Sequence, residues 1–259
     1  MKPRKTLRGA ALIAALLMCL WACENGDPAA DLFREVKSMQ KTVVQCEKNP
    51  DGQWRLMVAE ENELDFLNCS TVDETAGALT PGAVVEIAGV TVIQQTHPGR
   101  LIGEAISVTV LEPGQDFIGL YLDILDALYD EEAELNPQGS PDFSITYALD
   151  LTEVHNLSKE EKRGLVYLFY CSHDTDWETG VQPAGACLAT LQELTERGEI
   201  DEKTHRFEQG ILFTIRDEPV QGESFSFSAK KWRSESETVS HDHCTARKDG
   251  DSWTFDGLT

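Results

Sequence analysis

Basic residues are scarce in this 259-residue chain: 22 Lys+Arg stand against 45 Asp+Glu, a formal net charge of −23. Binding along a phosphate backbone needs stripes of Lys and Arg that the sequence lacks, so nucleic acid is not an expected partner. Aromatic residues are few, at 8%, but 41% of the chain is hydrophobic, enough for real cores, and global disorder is excluded. Gly-x-Ser-x-Gly, His-Glu-x-x-His, the Walker loop and Gly-x-Gly-x-x-Gly are all missing, so the common nucleophile and phosphate-cradling chemistries have no motif to rest on. Cys-x-x-Cys is missing too, which leaves a zinc ribbon or thioredoxin-type site without support. Carboxylates are so numerous that their spacing singles out no glycosidase-type pair. No internal repeat occurs, and beyond the N-terminus no apolar run approaches the ~20 residues of a spanning helix.

What is present begins at the N-terminus. Lys2, Arg4, Lys5 and Arg8 form a basic segment, and Gly9 to Trp21 is an unbroken apolar run, too short to span a bilayer. It ends in Leu20-Trp21-Ala22-Cys23, followed by the turn-rich Glu24-Asn25-Gly26-Asp27-Pro28. This arrangement resembles the bacterial prolipoprotein signal, with Leu20, Ala22 and Cys23 on the pattern and Trp21 bulkier than usual. The resemblance implies removal of residues 1–22 and acylation of Cys23. Several acyl chains, at ~0.8 kcal/mol per buried methylene, would hold a soluble domain firmly on a membrane. The expected location is the cell envelope.

Five cysteines follow: Cys46, Cys69, Cys171, Cys187 and Cys244. In an oxidising compartment they read as crosslinks rather than catalytic thiols. Short loop closure favours Cys46–Cys69 and Cys171–Cys187, each stabilising by ~3 kcal/mol. An alternative joins Cys244 to Cys171 or Cys187.

Local patterns predict an α+β chain, with a β-rich N-terminal part carrying an amphipathic helix, then helices followed by an antiparallel meander. The expected organisation is a tether over residues 23–30, a β-rich domain over 31–135, a linker over 136–141 and an α+β domain over 142–259. Leu32, Phe33, Val36 and Met39 recur at helical spacing. Asn49-Pro50-Asp51-Gly52 reads as the turn of a hairpin. Strands are expected at 83–87, 91–95 and 101–111. The clearest helix begins at Asp116, a plausible N-cap, and places Phe117, Tyr121, Ile124, Leu125 and Leu128 on one face. Its far end carries Asp126, Asp130, Glu131, Glu132 and Glu134 and no Lys or Arg, which opposes the helix dipole, so that end must fray or meet a cation.

In the second part, the alternation of Phe143, Ile145, Tyr147, Leu149 and Leu151 predicts a strand. Ser158 and Glu161 form a capping-box pattern that opens a helix. A second helix is expected over 187–197, ending at Gly198, then strands at 211–216, 224–230, 238–247 and 252–255. The order of elements, carried by Leu188, Leu191, Leu194, Gly198 and Ile200 with Phe225, Phe227 and Trp253, faintly resembles the head of bacterial pseudopilins. The resemblance covers about a quarter of the chain and implies a helix leading into a four-stranded meander.

Two clusters carry candidate metal ligands for a divalent cation. His173, Asp174, Asp176 and Glu178 share one loop, but Gly180 comes too late and no twelfth-position Glu follows, so a calcium loop is incomplete. His241 and His243 would lie on one face of a strand and need a third ligand, such as His173 or His205, to hold zinc. The expected function is thus a lipid-anchored envelope protein acting as a non-catalytic binding or assembly module with an envelope protein partner. The alternatives are a metal-dependent hydrolase using the 171–178 loop with His241 and His243, and a secretion- or pilus-linked structural component.

Overall fold

The computed structural model describes residues 38–61, 63–94, 98–103, 105–137, 145–173, 185–201, 203–250 and 252–258. The signal segment with Cys23, the 23–30 tether, Leu32, Phe33 and Val36, linker residues 138–141, and Asp174, Asp176 and Glu178 lie outside the described residues.

The chain opens with strands β1 (Ser38–Lys48), β2 (Trp54–Glu60), β3 (Glu63–Cys69), β4 (Thr71–Asp73), β5 (Val84–Ala88), β6 (Val92–Gln94), β7 (Gly99–Ile102) and β8 (Ser107–Glu112). They form one eight-stranded sheet in the order β4-β8-β5-β1-β2-β3-β7-β6. The β1–β2 hairpin turns at Asn49–Gly52, with Gly52 N–H donating to the Asn49 carbonyl at 2.9 Å. The single strand expected over 101–111 is two strands, β7 and β8, with different partners. The break lies at Gly103, where a Cβ would sit 2.0 Å from the Gly89 carbonyl oxygen, so two backbones touch where only hydrogens fit.

Alternation makes this sheet two-sided. Val43, Leu56, Val58, Leu67, Val85, Ile87, Val108 and Val110 pack against one another, so the sheet curls round its own apolar face. Neighbours on β1, Val43 and Val44 point to opposite faces and are buried in different cores. On the outer face Val44, Met57, Ala59 and Leu64 join a second core with the helices.

Helix α1 (Phe117–Asp130) begins at Asp116, whose side chain accepts from Gly119 N–H at 3.4 Å, and is followed by a 3-10 turn at Ala133–Leu135. After β9 (Thr146–Asp150) comes α2 (Lys159–His173), opened by the Ser158–Glu161 capping box: Glu161 N–H donates to Ser158 Oγ at 3.1 Å and Ser158 N–H to Glu161 Oε2 at 2.8 Å. Then follow β10 (Gly185–Leu188), α3 (Leu191–Glu196), β11 (Gly210–Asp217), β12 (Ser224–Trp232), β13 (Thr238–Asp249) and β14 (Ser252–Asp256). The second sheet runs β10-β9-β11-β12-β13-β14; β10, β9 and β11 are parallel and the rest antiparallel.

The expected α+β class is therefore corrected. The molecule is mainly β, with sheets of eight and six strands and three short helices among the described residues. The helix expected over 187–197 is where the reading failed. Cys187 and Leu188 are paired to Ala148 and Leu149 in a parallel ladder. The helix starts only at Leu191, behind a capping box in which Thr190 Oγ1 accepts from Glu193 N–H at 3.2 Å. A Leu every third residue imitated one helix across a strand and a turn; only Leu191–Glu196 of it is helical, ahead of the antiparallel strands β11 to β14.

The layers stack as curled sheet, then α1 and α2, then the six-stranded sheet, whose far face carries Leu194, Ile200, Phe207 and Trp232. Residues on both sides of the 136–141 segment share one core: Val44, Met57 and Leu64 join Leu165, Phe169, Phe213 and Phe227. Helix α2 seats against β1 at Gly164, where a Cβ would lie 2.3 Å from Val44 Cγ1 and 3.0 Å from its Cβ. A Gly164→Ala change gains about 1 kcal/mol of helix propensity but loses about 3 kcal/mol to overpacking against a stiff β-branched side chain. Urea denaturation should show a net loss of about 2 kcal/mol. The loss should shrink when Val44→Ala is combined with it, because the two sites share one contact.

Candidate functional site

The acidic end of α1 does not fray. On β12 the residues Phe225, Phe227 and Ala229 face the helices, and the next in that alternation is Lys231, 0% exposed. Its ammonium donates to the backbone carbonyls of Tyr129 at 2.9 Å, Glu131, and Glu132 at 3.4 Å, and lies 5.9 Å from the Tyr129 ring centre. Tyr129 is in the last turn of α1, which leaves its carbonyls without an intrahelical donor, and Glu131 and Glu132 follow just beyond it. Burial pushes the lysine below its ordinary pKa, against the pull of Glu131, Glu132, Glu134 and Asp130.

Two histidines join the same cluster. His173 stacks on Tyr129, with ring centres 3.8 Å apart, and its Nε2 lies 2.9 Å from Asp126 Oδ1. His241 Nε2 lies 2.7 Å from Glu131 Oε2. The structure thus brings His173 and His241 to one helix end, but each is bound to a carboxylate and the cation among them is Lys231. His243 is elsewhere. Three steps of β13 from His241 to Cys244 face two steps of β12 from Ala229 to Phe227, a bulge in which His243 takes φ 61°. The bulge breaks the period of two that put His241 and His243 on one face, and Cys244 takes the core position. His205 sits in the turn bridged by Asp201 and Arg206, beside Ile200 and Phe207 on the far face. Among the described residues no group of three or more His, Cys, Asp or Glu is arranged to hold a metal ion.

The expected crosslinks are not formed; Cys46, Cys69, Cys171, Cys187 and Cys244 are free thiols. Cys46 pairs with Leu56 on β2, which pairs with Leu67 on β3, two residues from Cys69. Two strand spacings of about 4.8 Å exceed the about 7 Å that a disulfide tolerates between Cα atoms. Burial pushes both thiols up to about 11, which keeps them protonated. Cys187 packs with Ala148 and Leu194 on the far face of the second sheet, whereas exposed Cys171 rides on α2 across the other face.

One polar network escaped the sequence reading altogether. The buried Asp217 carboxylate accepts from the Tyr121 hydroxyl, His155 N–H at 2.6 Å and Asn156 Nδ2 at 2.9 Å, with His155 Nδ1 3.1 Å away. Burial, then the bonded carboxylate, raises the Tyr121 hydroxyl above its ordinary value. Asn156 also accepts from Val220 N–H at 2.9 Å, so the network ties the loop before α2 to the end of β11. Its members are far apart in sequence and form no motif.

Two concavities remain on the outer face of the first sheet. One, about 650 Å3, lies between α2, β3 and the edge strand β10, walled by Leu64, Val166, Tyr167, Tyr170 and Leu188 among others. The other, about 470 Å3, is lined by Arg55, Phe66, Asn68, Gln94, Arg100 and Ile102 among others. Phe66 and Tyr167 stand edge to face, 6.3 Å between ring centres, where the two adjoin.

No family model matches this chain, and no curated protein does. Among solved structures it is similar to p202 HIN1 in complex with 12-mer dsDNA, at 12% identity and TM-score 0.24, covering 86% of this chain and 93% of that one. It is also similar to the Ifi202 HINa domain in complex with 20bp dsDNA, at 10% identity and TM-score 0.23, covering 87% and 97%. Likeness this slight carries no argument about fold or ligand. The earlier exclusion of nucleic acid, which rested on the charge of the chain alone, is withdrawn. Net charge is a sum over the whole surface and does not describe any one patch of it.

Replacing Lys231 by Met should cost about 2 kcal/mol, since it takes a donor from the Glu131 carbonyl while Tyr129 and Glu132 keep Asn136 Nδ2 and Leu135 N–H; urea unfolding checks this. Folding lowers this lysine's pKa, so between the folded value and the ordinary 10.5 the unfolded chain holds more protons. In that window the Lys231 contribution to stability rises with pH. The slope should vanish in Lys231→Met.

Proposed function

We propose that this chain is a lipid-anchored protein of a bacterial cell envelope, held at a membrane through Cys23, whose folded part is a non-catalytic binding or assembly module. The observation that carries the reading is the Leu20-Trp21-Ala22-Cys23 sequence behind a basic segment and a short apolar run. Among the described residues no helix is long and apolar enough to cross a membrane, so acyl chains would supply the attachment.

The binding part of the proposal is supported by where polar and apolar groups stand. His173 and His241 are tied to carboxylates around a buried ammonium, and Asp217 is bonded to the groups around it. The hydrolase alternative needed the 171–178 loop to meet both His241 and His243; the β13 bulge parts the two histidines, and Asp174 and Asp176 lie outside the described residues. The pilus-linked alternative predicted a meander packed on a 187–197 helix; only Leu191–Glu196 of that helix forms, with Leu194 beside Leu212 and Trp232 of the meander. The apolar and aromatic concavity of about 650 Å3 has the size and lining that suit an apolar ligand or a partner's side chains. On its rim Leu188 is 39% exposed on an edge strand.

The full chain made in a bacterial host with radiolabelled palmitate should carry label and sediment with membranes, and Cys23→Ser should lose the label. After gentle detergent extraction, an envelope protein should co-purify with the wild type and not with Leu188→Asp. A mature N-terminus without fatty acid would overturn the anchor, and identical co-purification with Leu188→Asp would overturn the placement of the binding surface.

A further inference from the structure

In a chain with so few basic residues, most arginines are tied to internal partners. Arg197, Arg206, Arg216 and Arg247 form ion pairs with carboxylates. Arg233 donates to the carbonyls of Leu135 and Glu208. Arg55 and Arg100 differ: both are exposed, and among the described residues neither side chain forms an ion pair or hydrogen bond. Yet both line one concavity of about 470 Å3.

Register explains how they meet. Arg55 on β2 stands opposite Asn68 of β3, and Arg100 on β7 stands opposite Phe66 of β3. Asn68 and Phe66 are two residues apart on one strand and so share its face. The two arginines therefore flank β3 from either side with a two-residue offset, a diagonal that long side chains span. Gln94 of β6 is opposite Arg100 and adds a second amide. Ile102, 47% exposed, supplies an apolar wall with the Phe66 ring. Glu47 of β1 is the cross-strand neighbour of Arg55 on its other side, and no ion pair joins them.

We infer that this concavity is a binding site for a small organic anion: a carboxylate or phosphate group carried on an aromatic or apolar body. Two unpartnered guanidiniums repel each other until an anion comes between them, and their planar forks match the oxygens of a carboxylate or phosphate in pairs. The Asn68 and Gln94 amides donate to the remaining oxygens. Phe66 and Ile102 cover the ligand's apolar face, which an inorganic ion would leave bare. The site is independent of the acyl anchor and of the neighbouring apolar concavity.

Isothermal titration of the full chain in detergent with phenyl phosphate, benzoate, inorganic phosphate and phenol tests this. Phenyl phosphate or benzoate should bind at one site per chain. Phenol, without the charge, and inorganic phosphate, without the ring, should each bind at least about tenfold more weakly, the effect of one lost charged or apolar contact. Arg55→Gln and Arg100→Gln should each weaken the organic anion by about tenfold or more, with Arg55→Lys and Arg100→Lys intermediate. Arg247→Gln, which removes a surface pair with Asp256, should change nothing. Thermal unfolding of each variant separates lost binding from lost fold. The inference is overturned if neither organic anion saturates by about 10 mM. It is also overturned if phenol or inorganic phosphate binds as tightly as phenyl phosphate, or if a folded Arg55→Gln or Arg100→Gln variant binds unchanged.

Discussion

A helix whose last turns carry Asp126 and Asp130, with Glu131, Glu132 and Glu134 just beyond and no basic residue, presents negative side chains where its backbone dipole is already negative. Such an end is stable only if positive charge arrives from elsewhere in the chain, and here it arrives buried. The Lys231 ammonium lies against the carbonyls of Tyr129, Glu131 and Glu132, with His173 and His241 on the flanking carboxylates. Burying an ammonium is costly unless its donors are met, so this contact has little freedom of position. It fixes β12, β13 and the end of α2 on one helix terminus, and much of the molecule's arrangement follows from it.

With that end held, α1 and α2 form the layer between the two sheets. At the other end of α1, Tyr121 reaches the buried Asp217 and Trp253 Nε1 donates to the Gln115 carbonyl at 3.0 Å. The six-stranded sheet is thus joined to α1 along the length of the helix. On the opposite side, α2 lies against β1 because Gly164 has no side chain to hold it off. Apolar contact between the layers supplies bulk stabilisation, while the polar contacts set the register, since a displaced helix would leave Lys231 or Asp217 buried without partners.

The outer face of the curled sheet is used unevenly. Where β1, β2 and the start of β3 meet α2 it is apolar and covered; beyond Phe66 it turns polar and open. Two concavities meet at that boundary, one walled by aromatic and aliphatic residues and one carrying the unpaired arginines of an otherwise acidic protein. Acidity of the whole keeps such a domain soluble and sets its mean field. It leaves the chemistry of a single patch free to differ, so a charge total is poor evidence against a ligand class.

Much of the local structure was legible in the sequence. Asn49–Gly52 turns a hairpin, Asp116 caps α1, Ser158 and Glu161 box the start of α2, and the closing meander runs as its alternation suggests. Each of these signals acts over two to four residues, where hydrogen bonds and side-chain faces are set by neighbours in the chain. The demand of α1 for a cation was legible too, and Lys231 stands in the sequence just past the strand expected to end at 230. That these two belong together was not. The β13 bulge that separates His243 from His241, the strand at Cys187 and Leu188, the failure of the cysteines to meet, and the gathering of Arg55 with Arg100 were decided by the tertiary structure alone. All depend on which strand lies beside which, and strand pairing joins residues that no local pattern relates.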